Sequence, residues 1–555
     1  MDAFLKEETI ALEPNLGIFM VIAMMAMAIS MVLIPLFIRW APKLGMLDLP
    51  DPRKVHVAPI PRVGGIGIVA GALVPLFIWL PIDALTSSFL IGSLVLLVFG
   101  TWDDVRELGH YVKFIGQFVA AIVVVYYGDL YVVHFPLIGL ETLPESIARP
   151  FTVIAIVGMI NAINHSDGLD GLAGGESLIS LGVIAYLGFM SNSTLILIVS
   201  VATIGGIFGF LRFNSHPARV FMGDGGSQFL GYTLAVLVLI LTQQVNATLS
   251  PAVPVLLLGL PIVDILAVFF LRAKHKMNLF KATRNHIHHR LLDIGFLHYE
   301  SVMFIYTLQF VLVISAIPLM YKTDISILIY YLIICSSVFV FLTLSERMNF
   351  KIHVNGDKKK DVISLILEKF PMMRSVPINA IEYGLSLFVL TSALSINNVP
   401  TDFALSSVVL LFLLILILLT GVMGYQLYRL ILFVTIGFSV YLLTSFPSDW
   451  LSNKVDLVFI YFIVMAIFGF IAMKAASGNE FKITPLDYLV VGIALLIEFL
   501  PGSDQYREHI IWMIVQIIIL FYICELVIQN MHSRWNRFSG SVVLALALIA
   551  YRGLA

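Results

Sequence analysis

The stretch NAINHSDGLDGLAGG, residues 161–175, lies between two strongly apolar segments of the chain. It places two asparagines, a histidine and two aspartates beside a run of glycines. Such a stretch is either a polar hairpin that reverses the chain or a site that handles charge. The 555-residue sequence around it is 59% hydrophobic and only 12% charged. Soluble proteins average about 25% charged residues, so the composition predicts a polytopic membrane protein.

Net charge and cysteine content exclude several other classes. The formal net charge is only −2, which gives no indication of a nucleic-acid partner. The two cysteines, Cys335 and Cys524, lie in separate apolar segments, so the sequence predicts neither a disulfide framework nor a cysteine metal site. The N-terminus, MDAFLKEETIALEPN, is acidic, and we expect the first apolar segment to remain as a membrane helix rather than act as a signal peptide.

Apolar segments that approach or reach the length needed to span a bilayer recur along the chain. Eleven precede residue 346, near 16–38, 63–82, 87–101, 113–133, 150–163, 174–191, 194–212, 227–246, 252–272, 301–320 and 324–345. Six or seven more follow a polar interruption. The sequence therefore predicts an all-α polytopic membrane protein with an eleven-helix core over 1–345, a cytoplasmic linker over 346–376, and a transmembrane region of unknown role over 377–555.

Lysines and arginines concentrate in alternate loops between these segments, most densely after the first and the ninth. Cytoplasmic loops of membrane proteins carry an excess of such residues. Counted from an outside N-terminus, every strongly basic loop falls on the cytoplasmic side.

The polar clusters of the sequence fall in those same loops. They are RKVHVAPIPRVGG at 53–65, GTWDDVRELGHYVKFIGQ at 100–117, the opening stretch, RFNSHPARVFMGDGGSQFLG at 212–231 and FKATRNHIHHRLL at 280–292. Five carboxylates on one side of the membrane could then converge with basic residues: Asp103, Asp104, Asp167, Asp170 and Asp224. Opposed charge of this kind is typical of a site for a divalent cation and a phosphorylated ligand.

The acidic clusters also have structural interpretations. Asp103 and Asp104 form an ordinary turn after a helix in the simplest alternative, and GDGGS at 223–227 is alone only a weak anion-binding signal. In the opening stretch a helix cap would explain one polar residue but not four. Those four recur at intervals of three and are therefore helix neighbours: Asn161, Asn164, Asp167 and Asp170.

The histidine cluster and one isolated aspartate leave alternatives open. HIHHR places three histidines within four residues, but adjacent histidines on a helix point in different directions. Beside Arg284 and Arg290 the histidines therefore favour phosphate contact over metal ligation. Asp264, in LGLPIVDILAVFF, is either a buried hydrogen-bonding partner or a functional carboxylate.

The five clusters, in this order, resemble the motifs of the polyprenyl-phosphate N-acetylhexosamine-1-phosphate transferases. The resemblance covers roughly residues 16–345, and HIHHR is similar to the GlcNAc-type branch. It implies a bacterial inner-membrane enzyme whose active site faces the cytoplasm and which primes cell-envelope glycan synthesis. The implied reaction transfers sugar-1-phosphate from a UDP-sugar to undecaprenyl phosphate and releases UMP. Dependence on Mg²⁺, with Mn²⁺ as a substitute, is implied as well, and a homodimer is compatible with the family.

Sequence and resemblance together nominate individual residues. Asp224 is the implied metal ligand. The candidate catalytic residues are Asp103, Asp104, Asp167, Asp170, Asp224, His286 and His288. The candidate substrate-binding residues are Lys54, His56, Arg62, Lys113, Asn161, Asn164, Gly168, Leu169, Phe221, His289 and Arg290. Among these, Gly168, Leu169 and Phe221 fall with Asp170 where the family builds its uridine pocket, and Lys113 and Gln117 match the residues that follow its paired aspartates.

Two departures from the family pattern leave alternatives for the substrate. Leu279 and Thr283 stand where relatives often carry proline and aspartate, so another UDP-N-acetylated sugar or UDP-MurNAc-pentapeptide is the alternative donor. The extension beyond residue 346 is not required by the family core. A transporter or lipid flippase is the alternative from another class. Secondary transporters usually keep their charges near mid-membrane in paired repeats, whereas these clusters lie at helix ends on one face.

Overall fold

A computed structural model describes residues 2–50, 58–106, 108–135, 142–274, 276, 286–348, 375–420, 425–448, 450, 455–475, 504–529 and 536–554. Twelve helices within this part of the chain are long and apolar enough to cross a membrane. The predicted all-α polytopic membrane protein is thereby confirmed. The chain groups into two compact units, the first containing Met1–Asn355 and the second Gly356–Ile483 with Ile497–Ala555. The predicted linker lies almost wholly outside the described residues, and its boundaries stay a prediction.

The described part of the first unit contains thirteen α-helices and a two-stranded sheet. In chain order these are α1 Asp2–Leu44, β1 Leu47–Asp48, β2 Ile60–Pro61, α2 Gly64–Trp79, α3 Ala84–Arg106, α4 His110–Ile122, α5 Glu145–Ser166, α6 Leu172–Met190, α7 Thr194–Asn214, α8 Gly223–Leu239, α9 Val253–Leu257, α10 Gly259–Lys274, α11 Ile287–Ile294, α12 His298–Leu319 and α13 Asp324–Arg347. Short π-helical turns, Val123–Tyr127 and Ile240–Val245, prolong α4 and α8. Helix occupies each of the eleven predicted segments, but the ninth, 252–272, is divided into α9 and α10, and the short helix α11 is additional.

Helix α8 forms the centre of the first unit. Its sequence is apolar on all sides, and a helix of that kind is stable only when other helices surround it. It packs against α2, α3, α5 and α6, and its membrane-spanning stretch is fully buried. A Cβ atom on Gly100 of α3 would lie 2.3 Å from the Cα atom of Gly225, so only glycine allows the two backbones to approach this closely. This contact brings the carboxylates at the end of α3 to the start of α8.

The loop that follows α1 is tied to the same place. Strands β1 and β2 pair antiparallel, and the Pro61 carbonyl that ends β2 accepts a hydrogen bond from the Phe221 amide at 2.8 Å. The amides of Gly64 and Gly65 donate in turn to the carbonyls of Phe221 and Met222, at 2.9 and 2.7 Å. The start of α2 and the start of α8 are therefore joined by backbone hydrogen bonds.

The described part of the second unit contains six helices: α14 Ser375–Leu394, α15 Thr401–Thr420, α16 Tyr425–Ser445, α17 Val455–Ala475, α18 Asp504–Gln529 and α19 Arg537–Leu554. Its interior contains an ion pair, because buried Arg429 of α16 donates to the carboxylate of Glu525 on α18. Next to it, the Tyr428 hydroxyl lies 2.5 Å from Ser539 Oγ of α19. Polar contacts thus join α16, α18 and α19.

Candidate active site

A cavity of about 800 Å³ opens in the first unit where the loop ends of α3, α5, α7 and α8 meet. All five sequence clusters contribute to its wall. The predicted site residues that line it are Arg62, Asp103, Asp104, Lys113, Asn164, Asp167, Gly168, Leu169, Asp170, Phe221, Asp224 and His289. The opening stretch is therefore part of a charged site rather than a plain hairpin.

The polar end of this cavity is formed by three carboxylates, of Asp103, Asp104 and Asp224, and by the ammonium group of Lys113. The Lys113 ammonium lies 2.6 Å from Oδ2 of Asp103 and 2.6 Å from Oδ2 of Asp224. The other oxygen of Asp224 accepts a hydrogen bond from Asn164 Nδ2 at 3.0 Å. Residues more than a hundred positions apart in sequence, on α3, α4 and α8, therefore share one electrostatic cluster.

The paired aspartates have different contacts. Asp104 accepts hydrogen bonds from the amides of Asp224 at 3.0 Å and Gly225 at 3.4 Å, so it caps the start of α8 as an N-cap carboxylate does. Gly223, the first residue of α8, has φ +74, a conformation that favours glycine. Asp103 instead contacts Lys113. GDGGS was a weak signal for anion binding by backbone amides, and two of those amides, of Asp224 and Gly225, donate to Asp104 instead.

The carboxylate cluster fits a divalent cation. Three carboxylates face a single ammonium group, and uncompensated buried negative charge is costly without a counter-ion. Oδ1 of Asp103 is buried and has no hydrogen-bond partner among the described residues, although an ionised oxygen is rarely left in that state. Carboxylate oxygens are the ligands that Mg²⁺ prefers. Asp224 and Asp103 are accordingly the residues that would hold such an ion.

The loop between α5 and α6 forms the opposite wall. The amide of Gly171 donates to Asn214 Oδ1 at 2.8 Å, and Asn214 Nδ2 donates to the Val220 carbonyl at 2.9 Å. Asn214 thereby ties this loop, at Gly171, to the residue that precedes Phe221. Asn214 was not among the residues predicted from the sequence, although it lies inside the fourth cluster.

The two aspartates of this loop differ in their ionisation. Burial, followed by the negative charges of Asp224 and Asp170, raises the pKa of Asp167 to about 7. Burial also acts to raise the pKa of Asp170, but the hydrogen bond from His216, the charge of His298 and the Ala218 amide hold that pKa below its usual value. Asp170 is therefore ionised at neutral pH, whereas Asp167 is divided between its two forms.

The raised pKa of Asp167 predicts a pH-dependent stability. Between the ordinary aspartate value and about 7 the native state binds more protons than the unfolded state, so the free energy of unfolding falls as pH rises through this window. Asp167→Asn removes the unfavourable charge. We expect the variant to unfold about 2–4 °C above the wild type at pH 8, and by about half that margin at pH 5.5, which lies midway through the window.

Thermal unfolding of the detergent-purified protein, followed by loss of monodispersity, measures this difference. Asp293→Asn is the matched control, since it changes an exposed carboxylate on α11 that does not line the cavity. An equal shift for Asp167→Asn at both pH values would contradict the assignment.

The first histidine of HIHHR is held by an aspartate from another helix. Asp264 of α10 lies with Oδ2 2.7 Å from His286 Nδ1, and its Oδ1 accepts a hydrogen bond from the Ile287 amide at 2.9 Å. Both residues are buried, at 6% exposure each. Asp264 is thus the buried hydrogen-bonding partner that the sequence left as one of two alternatives, and it fixes the start of α11.

The remaining residues of the motif have separate surroundings. His288 is buried beneath the α5–α6 loop, where a Cβ atom on Gly168 would lie 2.2 Å from its Nε2. Burial, together with the nearby His289 and His286, lowers the pKa of His288 well below its usual value, so its imidazole is neutral. His289 lines the cavity, whereas Arg290 donates to Glu346 at 2.6 Å and to Thr343 at 3.1 Å. Among the described residues of this motif that were predicted to contact phosphate, His289 is the one that lines the cavity.

Other nominated residues lie away from the cavity or outside the described chain. Asn161 donates to Gln117 Oε1 at 2.7 Å and joins α5 to α4. Lys54 and His56 lie outside the described residues, as do 279–284, so the roles predicted for them stay predictions. Four further polar residues that were not predicted from the sequence also line the cavity, namely Asp48, Asn214, His216 and His298. Asp48 pairs with Arg62.

Known proteins resemble the part of the chain that forms the cavity. Residues 86–242 match the model described as glycosyl transferase family 4. A Bacillus subtilis protein named a probable undecaprenyl-phosphate N-acetylglucosaminyl 1-phosphate transferase is 38% identical over 296 residues, which cover 52% of this chain and 81% of the relative. A Mycobacterium tuberculosis decaprenyl-phosphate N-acetylglucosaminephosphotransferase is 30% identical over 302 residues, 48% of this chain and 74% of the relative. The Escherichia coli K12 undecaprenyl-phosphate alpha-N-acetylglucosaminyl 1-phosphate transferase is 30% identical over 273 residues, again 48% and 74%.

These relatives are matched over most of their own length by about half of this chain, and the family model covers α3 to α8, which supply most of the cavity wall. The resemblance inferred from the five motifs is thereby confirmed. The chain belongs to the polyprenyl-phosphate N-acetylhexosamine-1-phosphate transferases of glycosyl transferase family 4 and is a membrane phosphosugar transferase.

Proposed function

We propose that this transferase moves GlcNAc-1-phosphate from UDP-GlcNAc to undecaprenyl phosphate and releases UMP. The observation that carries the proposal is the convergence of Asp103, Asp224 and Lys113 with the Gly168–Asp170 loop and Phe221 around one cavity. Its volume of about 800 Å³ falls within the range of roughly 300–1,000 Å³ typical of small-molecule pockets. The names of the relatives support both the sugar and the polyprenyl phosphate acceptor.

The chemistry of this reaction suits a site that is rich in charge and has no strong base. An oxygen of the lipid phosphate attacks the β-phosphorus of the sugar nucleotide, and the bond from that phosphorus to the UMP oxygen breaks. The attacking oxygen is already anionic near neutral pH, and UMP leaves as a phosphate anion, so neither end requires proton transfer. The difficulty is the approach of one anion to another. Positioning and charge neutralisation therefore supply the catalysis.

The residues at the polar end of the cavity divide this task. Mg²⁺, or Mn²⁺ with the same oxygen ligands, supplies counter-charge for the diphosphate when it is held by Asp224 and Asp103. Lys113 contributes a further positive charge between those two carboxylates. Asp104 holds the start of α8 and so fixes where Asp224 lies. Asn164 orients the second oxygen of Asp224.

The opposite wall is suited to the uridine part of the donor. Phe221 offers an aromatic ring at the cavity surface, and aromatic faces bind nucleobases by stacking. Asp170 is an ionised acceptor for hydroxyl or N–H donors. The positive-inside distribution of lysine and arginine supports a cytoplasmic position for the cavity in a bacterial inner membrane, where soluble sugar nucleotides are available.

Release of UMP by the purified protein tests the proposal. The assay contains undecaprenyl phosphate, Mg²⁺ and one member of a panel of UDP-sugars, with omission of lipid and addition of a chelator as controls. We expect release with UDP-GlcNAc that requires both lipid and metal. Release only with another UDP-sugar would keep the reaction and place the specificity difference in the Leu279–Thr283 region. No release with any donor would overturn the proposal.

A further inference from the structure

A second cluster of metal-binding side chains lies on the wall of the cavity. Asp170 follows α5, His216 follows α7 and His298 begins α12, yet their ligand atoms all lie within 4.8 Å of one another. Oδ2 of Asp170 is 2.6 Å from His216 Nδ1 and 3.8 Å from His298 Nε2. The two imidazole rings stack with their centroids 4.0 Å apart. Three separate segments therefore place two ring nitrogens beside one carboxylate.

This ligand set differs in kind from the carboxylate cluster around Asp224. Two imidazole nitrogens and one carboxylate oxygen are the ligands of a borderline transition cation such as Zn²⁺, with a fourth position left for water or another ligand. Mg²⁺ requires oxygen ligands in octahedral geometry and is poorly matched to imidazole. The cavity wall thus carries two sets of candidate ligands that suit different cations.

The distances require only a small adjustment to hold a metal ion. Zn²⁺ bonds of about 2.0–2.1 Å place tetrahedral ligand atoms about 3.3 Å apart, between the two separations found here. His216 is 43% exposed on its side chain, so its ring has room to turn. The Ala218 amide donates to Asp170 Oδ2 at 3.1 Å and orients the carboxylate. The Asp170 amide donates to His298 Nε2 at 3.2 Å, so that nitrogen carries no proton, and a bound zinc ion would take the place of this hydrogen bond.

The supporting contacts also set a limit on affinity. Histidines that bind metal almost always donate their second ring nitrogen to a partner. Nδ1 of His298 is buried and has no hydrogen-bond partner among the described residues. We therefore expect reversible binding that is weaker than in structural zinc sites, as suits a regulatory or inhibitory ion.

We propose that Asp170, His216 and His298 bind Zn²⁺ and that the bound ion inhibits the enzyme by competing with the sugar nucleotide. The ion would occupy the wall where Asp170 meets the uridine, and it would cross-link the three segments that surround that wall. The inhibitory half of this inference rests on the proposed function, whereas the binding half does not.

Zn²⁺ binding is measured first, without turnover, by competition with a chromophoric chelator on tag-free protein in detergent containing excess Mg²⁺. We expect one Zn²⁺ per chain, and an affinity about tenfold or more lower in His216→Ala and in His298→Ala. His134→Ala, which lies away from the cavity, is the matched control and should bind as the wild type does. His289→Ala should also retain binding, since His289 is not part of the cluster.

Unchanged affinity in both His216→Ala and His298→Ala, or loss of affinity in His289→Ala instead, would overturn the site. Unfolding temperatures measured without zinc separate loss of binding from loss of folding.

In the UMP assay, Zn²⁺ should raise the apparent KM for UDP-GlcNAc in the wild type and much less in His216→Ala. Zinc that binds stoichiometrically but leaves KM unchanged would overturn the competitive inhibition. If no UDP-sugar is turned over, the proposed function fails, and the chelator competition still decides the zinc site.

Discussion

Replacement of Asp224 by asparagine is expected to lower the rate of UMP release by at least about a thousandfold. The substitution preserves volume but removes the charge that Lys113 contacts at 2.6 Å. It also replaces an acceptor oxygen with an N–H group on one side of a crowded polar cluster. Since charge neutralisation is the main requirement of the reaction, loss of the central carboxylate should affect turnover much more than stability.

A second readout separates metal binding from catalysis. Mn²⁺ binding, followed by electron paramagnetic resonance in the absence of substrate, should weaken in Asp224→Asn and in Asp103→Asn. Asp293→Asn serves as the control for a neutralised carboxylate away from the cavity, and both rate and Mn²⁺ affinity should match the wild type. Turnover of Asp224→Asn within tenfold of the wild type at saturating Mg²⁺ would refute the assignment of Asp224.

The second large effect is expected at Asp264, which does not line the cavity. Its two oxygens accept hydrogen bonds from His286 and Ile287, and asparagine cannot accept both without turning an N–H group toward a donor. The start of α11 would then shift, and with it His288 under Gly168 and His289 at the cavity wall. We expect Asp264→Asn to lower kcat about 100-fold, the size of effect that a misplacement of about 1 Å produces.

A double-mutant cycle with His286 tests whether Asp264 acts by positioning. If Asp264 acts through His286, the kcat of Asp264→Asn/His286→Ala should equal that of the more damaged single variant. Unfolding temperatures of all four proteins should differ by only a few degrees. Effects on kcat that add independently, or a kcat for Asp264→Asn within threefold of the wild type, would show that the pair is structural only.

The fold was largely predictable because bilayers demand long apolar segments, and eleven of these are visible before residue 346. The errors occur where polar residues are buried by protein. The third segment was predicted to end at residue 101, but α3 continues to Arg106. Asp103 and Asp104 remain helical because Lys113 and the start of α8 satisfy their oxygens. These contacts come from α4 and α8, which the sequence pattern within α3 alone does not reveal.

The site was predictable to the extent that its residues occur in clusters. Asp103, Asp224 and the 167–170 loop each lie in a stretch of sequence with several polar residues. The cavity brings these stretches together. Asn214 and His216 lie inside a cluster that was noticed for its glycines and for Asp224. His298 gave no signal, since a single histidine at a helix start is common and its partner Asp170 is 128 positions away.

The ion pair between Arg429 and Glu525 constrains how the second unit can be synthesised and dissected. Placing an arginine in an apolar helix costs about 2.5–3.5 kcal/mol when no partner is present. Its carboxylate is synthesised 96 residues later, so the ion pair cannot form until α18 has been made. A chain that ends between α16 and α18 would keep the cation permanently without its carboxylate. Any truncation of the second unit should therefore remove helices α16 and α18 together or retain them together.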